Sequence, residues 1–354
     1  MKTKGTSAEH TVGVDLGDRK SAICRLDAEG EVVERRMIST TREFFEAYFR
    51  ALPKARVVME VGTHSAWGSR LLEELGHEVI VANPSKIRAK KGRRKSDKID
   101  AEWLARQGRA DPKLLWPIEH RGERAQADLV LLGTRDCLVK CRTLLINHVR
   151  GSVKPLAGRI PKCSTESFHR TAPGHIPEAL VEVLKETMEE IARLTQRIRA
   201  LEKQVEAKVE AEYPEALRMQ QISGVGPMTS LCFALVVEDP ERFKKRRSVG
   251  AYVGLVPQLE DSGDAESELG ISKAGNELCR KYLVQAAQYV LGPFGPDTDL
   301  RRWGLGMIGE SKSKKVKKRA VVAVARKLSV LMLRLWVTEE RYEPLYNSEI
   351  RQAA

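Results

Sequence analysis

The sequence predicts a mixed α/β domain at the N-terminal end, followed by a mainly helical second half. Three short strand-like runs open the chain and alternating helices and strands follow, whereas the later segments have helical periodicity. A length of 354 residues suggests two domains and a connecting element, at about 150 residues per domain. We assign residues 8–119 to the α/β domain, 120–215 to a helical linker with a coiled coil, 216–340 to a C-terminal domain and 341–354 to a tail.

The N-terminal elements follow from apolar runs and the breaks between them. We predict strands over residues 11–16, 21–26 and 32–39, with a hairpin turn at 27–30. A helix over 41–52, a strand over 56–59, a helix over 65–75 and a strand over 78–82 come next. Another helix begins at Ser96 or Asp97. The resulting βββαβαβ order is that of a ribonuclease-H-like mixed sheet with helices on its faces.

The middle of the chain contains two long helical patterns. Residues 123–153 form an amphipathic pattern, and 151–177 are rich in Gly, Pro, Ser and His, which is typical of an irregular linker. A heptad pattern then runs through Leu184, Thr187, Ile191, Leu194, Ile198, Leu201 and Val205. It predicts a coiled coil between protomers. The alternative is an ordinary amphipathic helix packed on its own chain.

The composition indicates a polyanionic partner, most simply nucleic acid. Lys and Arg number 61 against 48 Asp and Glu, a formal net charge of +13, while aromatic residues make up only 5%. No apolar run reaches the roughly 18–20 residues of a membrane span, and the first residues do not resemble a signal peptide. Six scattered cysteines do not form a disulfide framework, so we expect a reducing cytoplasm.

The positive charge is concentrated in three blocks, at residues 86–98, 242–247 and 312–319. They can form one phosphate-binding surface if the fold brings them together, and otherwise they are solvated loops. The candidate nucleic-acid contacts in the blocks are Lys86, Arg88, Lys90, Lys91, Arg93, Arg94, Lys95, Lys244, Lys245, Arg246, Arg247, Lys314, Lys315, Lys317 and Lys318.

Four carboxylates are placed to converge at one edge of the predicted sheet. Asp15 and Glu60 end two strands, and Asp97 and Asp100 are three residues apart on the following helix, so they share a face. Hard oxygen ligands with several negative charges suit two Mg²⁺ ions, which can clamp the oxygens of a phosphoryl transfer. Each carboxylate alone is better explained as a turn or capping residue, and the set of four together favours the metal site.

The C-terminal half carries three further motifs. Gly224 and Gly226 lie in a turn between predicted helices, either a helix-hairpin-helix that contacts DNA phosphates or an ordinary helical turn. The run 272–276, which includes Lys273, begins another helix and adds a candidate nucleic-acid contact. Ser262 lies in a predicted polar loop over residues 260–267, where its chemistry alone does not distinguish it from other serines.

These motifs resemble those of the DEDD transposases of the one-ten family of bacterial insertion sequences, relatives of the Piv-type DNA invertases. Asp15, Glu60, the Asn83-Pro84 pair and the run 95–101 are similar to the family's RuvC-like domain. The runs 222–226, 254–257, 262–263 and 271–276 are similar to its second domain. The resemblance covers nearly the whole chain.

The resemblance implies a transposase that cuts and rejoins DNA. Asp15, Glu60, Asp97 and Asp100 would hold Mg²⁺, as two ions per site, and Ser262 would be the nucleophile of a covalent phosphoserine–DNA intermediate. The implied partners are donor and target DNA, a non-coding bridge RNA, and further copies of the chain in a dimer or tetramer, whose protomers share a site.

Two other functions stay open from the residues. One is a RuvC-like, metal-dependent nuclease or resolvase in which water attacks and Ser262 is structural. The other is a non-catalytic scaffold that binds RNA or DNA. A covalent adduct distinguishes the transposase from both.

Overall fold

The computed structural model describes residues 10–83, 97–262 and 265–347. The chain divides into two compact units, Met1–Arg121 and Gly122–Ala354. The segment predicted as a linker, residues 120–215, supplies helices that pack within the second unit. The finer domain limits at residues 215 and 340 stay predictions.

The first unit is built on a five-stranded mixed sheet with the order β3-β2-β1-β4-β5. Its strands are β1 (Thr11–Asp15), β2 (Lys20–Leu26), β3 (Val32–Ser39), β4 (Arg56–Glu60) and β5 (Glu78–Ala82). Strands β1, β2 and β3 are antiparallel neighbours, whereas β4 is parallel to both β1 and β5. The predicted element order is confirmed, and the sheet is compatible with a ribonuclease-H-like fold.

Helices cover both faces of this sheet. Alternate strand residues such as Val14 and Met59 pack with Phe45 and Phe49 of α1 (Arg42–Arg50) and with α2 (Ser65–Glu74) on one face. The opposite face is covered by α3 (Asp97–Ala110), in clusters that include Val58. Strands β1, β2 and β4 are therefore mostly buried, which explains their largely apolar sequences, whereas the edge strand β3 is largely exposed.

The second unit is mainly helical. Its helices are α4 (Glu123–Ser152), α5 (Phe168–Thr171), α6 (Glu178–Glu212), α7 (Pro214–Met219), α8 (Pro227–Val237), α9 (Val249–Tyr252), α10 (Glu277–Leu291), α11 (Asp299–Ile308) and α12 (Lys314–Thr338). The core surrounds α8, which is buried from Thr229 to Val237. Helices α4, α6, α10 and α12 contribute to the same core. No helix in the described parts of the chain is long and apolar enough to cross a membrane.

The heptad stripe of α6 is covered by its own chain. Arg124 bonds Glu212 at 2.8 Å and Arg142 bonds Thr195 at 3.3 Å, so α4 and α6 are antiparallel neighbours. Residues at the centre of the stripe, such as Ile191, are fully buried without a second copy. This favours the amphipathic helix packed on its own chain, and the coiled coil between protomers is not confirmed.

The segment over residues 151–177 is an ordered excursion at the end of the α4–α6 pair. It contains short 3-10 turns and α5, and Ile160 and Phe168 are buried against both long helices. Arg150 braces it by donating to the carbonyl of Ile160 at 3.0 Å. An apolar residue every few positions thus allows a Gly- and Pro-rich segment to pack.

The prediction of a polar loop after Pro257 is wrong. A two-stranded antiparallel sheet forms there, from β6 (Pro257–Ser262) and β7 (Ala265–Ile271). Its strands are rich in Glu, Asp and Ser, and acidic residues are depleted in strands, so the segment resembles a loop in sequence. Cross-strand pairing overrides that preference.

Candidate active site

Two of the predicted carboxylates are neighbours at one edge of the sheet. The parallel register aligns Val14 of β1 with Met59 of β4, so Asp15 and Glu60 occupy the next pair of positions. Adjacent strands are about 4.8 Å apart, which brings both carboxylates to one short stretch of the edge. Both residues are half-buried.

The two carboxylates lie on the face of the sheet that α3 covers. Strand residues alternate between faces, so Asp15 shares a face with Gly13, and Glu60 shares a face with Val58. A Cβ atom on Gly13 would overlap the carbonyl oxygen of Ala101 in α3. Val58 packs in the cluster that contains other residues of the same helix. Helix α3 therefore passes over both strands.

The direction of α3 brings its first turn to the same edge. Arg56, the first residue of β4, donates from Nη1 to the carbonyl of Gly108 at 3.0 Å, near the end of the helix. Because the end of α3 lies beside the start of β4, its beginning lies towards the strand ends. Asp100 is exposed there, one residue before Ala101. Asp97 begins the helix, but its side chain lies outside the described residues.

Glu102 continues α3 one residue beyond Ala101 and is held ionised by two arginines. Arg35 donates to its Oε2 at 2.6 Å and Arg106 donates to its Oε1 at 2.8 Å. These hydrogen bonds, with the charges of both guanidinium groups, lower the pKa of Glu102. The pair with Arg35 fastens α3 to β3 and so helps to fix the helix that carries Asp100, whereas the pair with Arg106 lies within α3.

The loops at this edge also bring together residues that the sequence analysis missed. His64 follows β4, and its Nε2 lies 3.5 Å from Oδ1 of Asp18 in the loop after β1. Trp67 donates from Nε1 to Nδ1 of His64 at 3.1 Å, so the neutral ring carries its proton on Nε2, towards Asp18. The only signal in the sequence was their position shortly after the two strand-end carboxylates.

The donor set at the edge fits a hard divalent cation. Asp15 and Glu60 are neighbours on adjacent strands, Asp100 lies near the start of the helix that approaches the same edge, and carboxylate oxygens are the ligands that such a cation prefers. Within the described residues no group of three His, Cys, Asp or Glu side chains forms a ready metal cluster. The fourth predicted ligand, the Asp97 side chain, is not among those residues.

Ser262 ends strand β6, whose base is anchored by the motifs around it. The amide of Ser272 donates to the carbonyl of Val256 at 2.9 Å, and the amide of Lys273 donates to that of Gly254 at 3.2 Å. Gly254 has φ +73° and lies against the backbone of Ala274, so only glycine fits. The two motifs therefore brace the hairpin, while the Ser262 side chain lies outside the described residues.

Two of the three basic blocks line one groove in the second unit. The groove encloses about 2030 Å³ between the base of the hairpin, α11 and α12. Its lining includes Arg246 and Arg247 from the second block and Lys314, Lys315 and Lys318 from the third. The fold thus brings residues of these two blocks to one groove, and their contact with phosphates stays a prediction.

The other predicted nucleic-acid contacts have varied positions. Lys244, Lys245, Lys273 and Lys317 are exposed but do not line the groove. Gly224, with φ +92°, and Gly226 form the turn between α7 and α8. A helix-hairpin-helix is not confirmed, and the phosphate contact at this turn stays a prediction. The first block, Lys86, Arg88, Lys90, Lys91, Arg93, Arg94 and Lys95, lies outside the described residues.

Comparison with known proteins gives the class, a DNA-processing enzyme of the DEDD transposase type. A family model described as "Transposase", for DEDD transposases, matches residues 12–156. A second model, described as "Transposase IS116/IS110/IS902 family", matches residues 216–299. The chain belongs to this family of insertion-sequence transposases, which confirms the resemblance.

Similar proteins named as transposases match this chain over most of their length. The "Probable family 20 transposase" of Pseudomonas aeruginosa is 28% identical over 341 residues, which cover 94% of this chain and 98% of that protein. The "Transposase for insertion sequence element IS1111A" of Coxiella burnetii is 28% identical and covers 94% of this chain and 90% of its own length. The corresponding protein for element IS1328 of Yersinia enterocolitica is 26% identical, with 78% and 82% covered. Divalent metal dependence is what this family membership suggests.

Proposed function

We propose that the chain transposes its element by cutting and rejoining DNA strands through a covalent bond to Ser262. The observation that carries this proposal is the pairing of Asp15 with Glu60 at the sheet edge that the first turn of α3 also approaches. Carboxylates grouped in this way are suited to Mg²⁺, which supplies positive charge to phosphate oxygens. Asp15, Glu60, Asp97 and Asp100 are the residues that would hold it.

One serine can carry out both the cleavage and the rejoining of a DNA strand. The Oγ of Ser262 attacks a DNA phosphorus, the Oγ–P bond forms, and the bond from phosphorus to a deoxyribose oxygen breaks. The serine proton passes to solvent and the leaving sugar oxygen takes one up. Attack by another strand's hydroxyl reverses these steps and frees Ser262. The phosphodiester energy is kept in the phosphoserine bond, so rejoining needs no external energy source.

A test compares Ser262→Ala with Ser267→Ala, a serine on the opposite strand of the same hairpin. We expect denaturing gels to show a protein–DNA adduct in the wild type and in Ser267→Ala, and none in Ser262→Ala. Cleaved ends without an adduct in the wild type would instead establish the water-dependent nuclease.

We also propose a non-coding bridge RNA as a partner. The support is that the described basic side chains of blocks two and three are exposed lysines and arginines suited to phosphates, and phosphate contacts carry no sequence information. Sequence choice then requires another source, and base pairing supplies it. RNA that copurifies with the chain and pairs with its donor and target sites supports the proposal, whereas transposition by RNA-free protein contradicts it.

We also propose that the chain self-associates, because protomers that share an active site must contact one another. The apolar surface that α6 leaves exposed includes Val181 and Val183 near its start. Light scattering of the wild type and of Val183→Asp tests it. We expect a dimer or tetramer whose assembly weakens in the variant, and a monomer at all concentrations would exclude it.

A further inference from the structure

The groove in the second unit combines positive charge with aromatic side chains. Eleven of its lining residues are Lys or Arg and three are Asp or Glu. One of the three acids, Glu340, is already paired with Arg334 at 2.7 Å, and this bond lowers the pKa of Glu340. The net field of the groove therefore attracts a polyanion.

The shape of the groove suits a polymer. Its volume of about 2030 Å³ exceeds the range of about 300–1,000 Å³ that is usual for small-molecule sites. Residues from Lys314 to Leu335 of α12 line it, a stretch of about 32 Å at 1.5 Å per residue. A chain of several nucleotides can follow that length, whereas a single nucleotide would fill a small part of it.

Three aromatic side chains lie among these cations. Trp303, Tyr342 and Tyr346 line the groove, and Lys327 holds its ammonium 3.7 Å from the centre of the Trp303 ring. Duplex DNA keeps its base faces stacked inside, so an aromatic ring in a basic groove has little to contact there. Unpaired bases can stack on such rings while their phosphates meet the lysines, and this arrangement tolerates any sequence.

The position of the groove indicates which strand it holds. Pro257, at the base of β6, and Ile271, at the end of β7, form part of its wall. The same hairpin carries Ser262 at the end of β6. We therefore expect a strand in the groove to be continuous with the DNA that the proposed nucleophile, Ser262, would cleave.

We propose that this groove binds an unpaired DNA strand beside the cleavage point, with bases stacked on Trp303 and Tyr346 and phosphates on the basic side chains of α12. The proposal rests on the proposed function for the choice of DNA and for the position of the strand beside the cleavage point. It assigns to the second unit a preference for strands that have already been separated.

The test measures the affinity of the full chain for labelled single-stranded DNA by fluorescence anisotropy. The protein carries Ser262→Ala so that no covalent capture contributes. Oligothymidine of about 15 nucleotides, within the usual site sizes of about 4–16, is compared with oligouridine of equal length and with a duplex. Each is measured for Trp303→Leu, Tyr346→Leu and the control Phe294→Leu, an exposed aromatic outside the groove.

We expect Trp303→Leu to weaken binding of single-stranded DNA by about fivefold to 100-fold and to leave duplex binding unchanged. Tyr346→Leu changes affinity in the same direction, and Phe294→Leu has no effect. If Trp303→Leu does not fold, Tyr346→Leu decides, because Tyr346 is 46% exposed and carries little packing.

Several results overturn the proposal. These are an equal loss on duplex and single strand, a loss confined to RNA, no loss at all, or a change in self-association without a change in affinity. The outcome is separate from that of the serine mechanism. Normal single-strand binding with no adduct in the wild type would reject Ser262 and keep the groove.

Discussion

Replacing Gly13 by alanine tests how α3 is placed over the active-site edge. A Cβ atom at this position would overlap the carbonyl oxygen of Ala101 and lie 2.7 Å from the amide nitrogen of Ala105. Ordinary contacts of carbon with other heavy atoms are about 3.5–4.0 Å. Both obstacles are backbone atoms, so no side-chain rotation relieves the overlap and α3 must move away from β1.

The expected cost is at or above the upper end of the overpacking range of about 1–3 kcal/mol. In a unit of 121 residues this lowers the melting temperature by about 10 °C or more. Strand cleavage should fall further than stability accounts for, because α3 carries Asp97 and Asp100. The measurements are thermal unfolding and cleavage of donor DNA at a temperature where the variant is folded.

Two glycines in the same unit provide a graded comparison. An added Cβ at Gly108 meets only the side chain of Val58, and one at Gly62 has nothing within 4 Å. Stability should therefore decrease least for Gly62→Ala, more for Gly108→Ala and most for Gly13→Ala. Wild-type stability and cleavage in Gly13→Ala would refute the packing of α3 on β1 and the placement of its first turn.

Three further predictions concern charge. Asp15→Asn and Glu60→Gln should each reduce cleavage by at least about 100-fold with unfolding unchanged, whereas Glu43→Gln, at an exposed position of α1, should retain activity. Equal losses in all three would contradict the assignment. Lys318→Gln should reduce the magnitude of the slope of log affinity against log salt concentration by about 0.7–0.9. An unchanged slope would exclude a contact between Lys318 and a phosphate. Burial lowers the pKa of His77. Below about pH 6.5 the unfolded chain therefore takes up a proton that the folded ring does not, and the free energy of unfolding decreases as the pH is lowered. Urea unfolding between about pH 7 and pH 5 should show a smaller loss in His77→Gln, and an identical loss would exclude this histidine.

Most of the sheet was predictable from the sequence because strands β1, β2, β4 and β5 are largely apolar and Gly or Asp residues mark its turns. The run that ends in Glu60 and the break at residues 27–30 gave strand limits within one or two residues of those observed. The pairing of Asp15 with Glu60 also followed, since parallel neighbours end at one edge. The direction of α3 did not, because it depends on contacts such as that of Arg56 with Gly108, which no local pattern reveals.

Other features depended on partners that are distant in sequence. The heptads of α6 identified its apolar face, but periodicity does not show which surface covers it, and α4 of the same chain does so. The β6–β7 hairpin, in which Ser262 ends the first strand, was missed because its strands are polar and are held together by backbone pairing. The groove that contains Trp303 was not predictable, because Arg246 and Lys315, which both line it, belong to basic blocks that are far apart in sequence.

The most direct measurement of the central claim is peptide mapping of the protein–DNA adduct. Wild-type chain is incubated with donor DNA and Mg²⁺, digested with nuclease and protease, and analysed by mass spectrometry. We predict that the residual nucleotide is attached to the peptide that contains Ser262. Attachment to any other residue, or rejoined DNA products formed with no adduct, would contradict the mechanism.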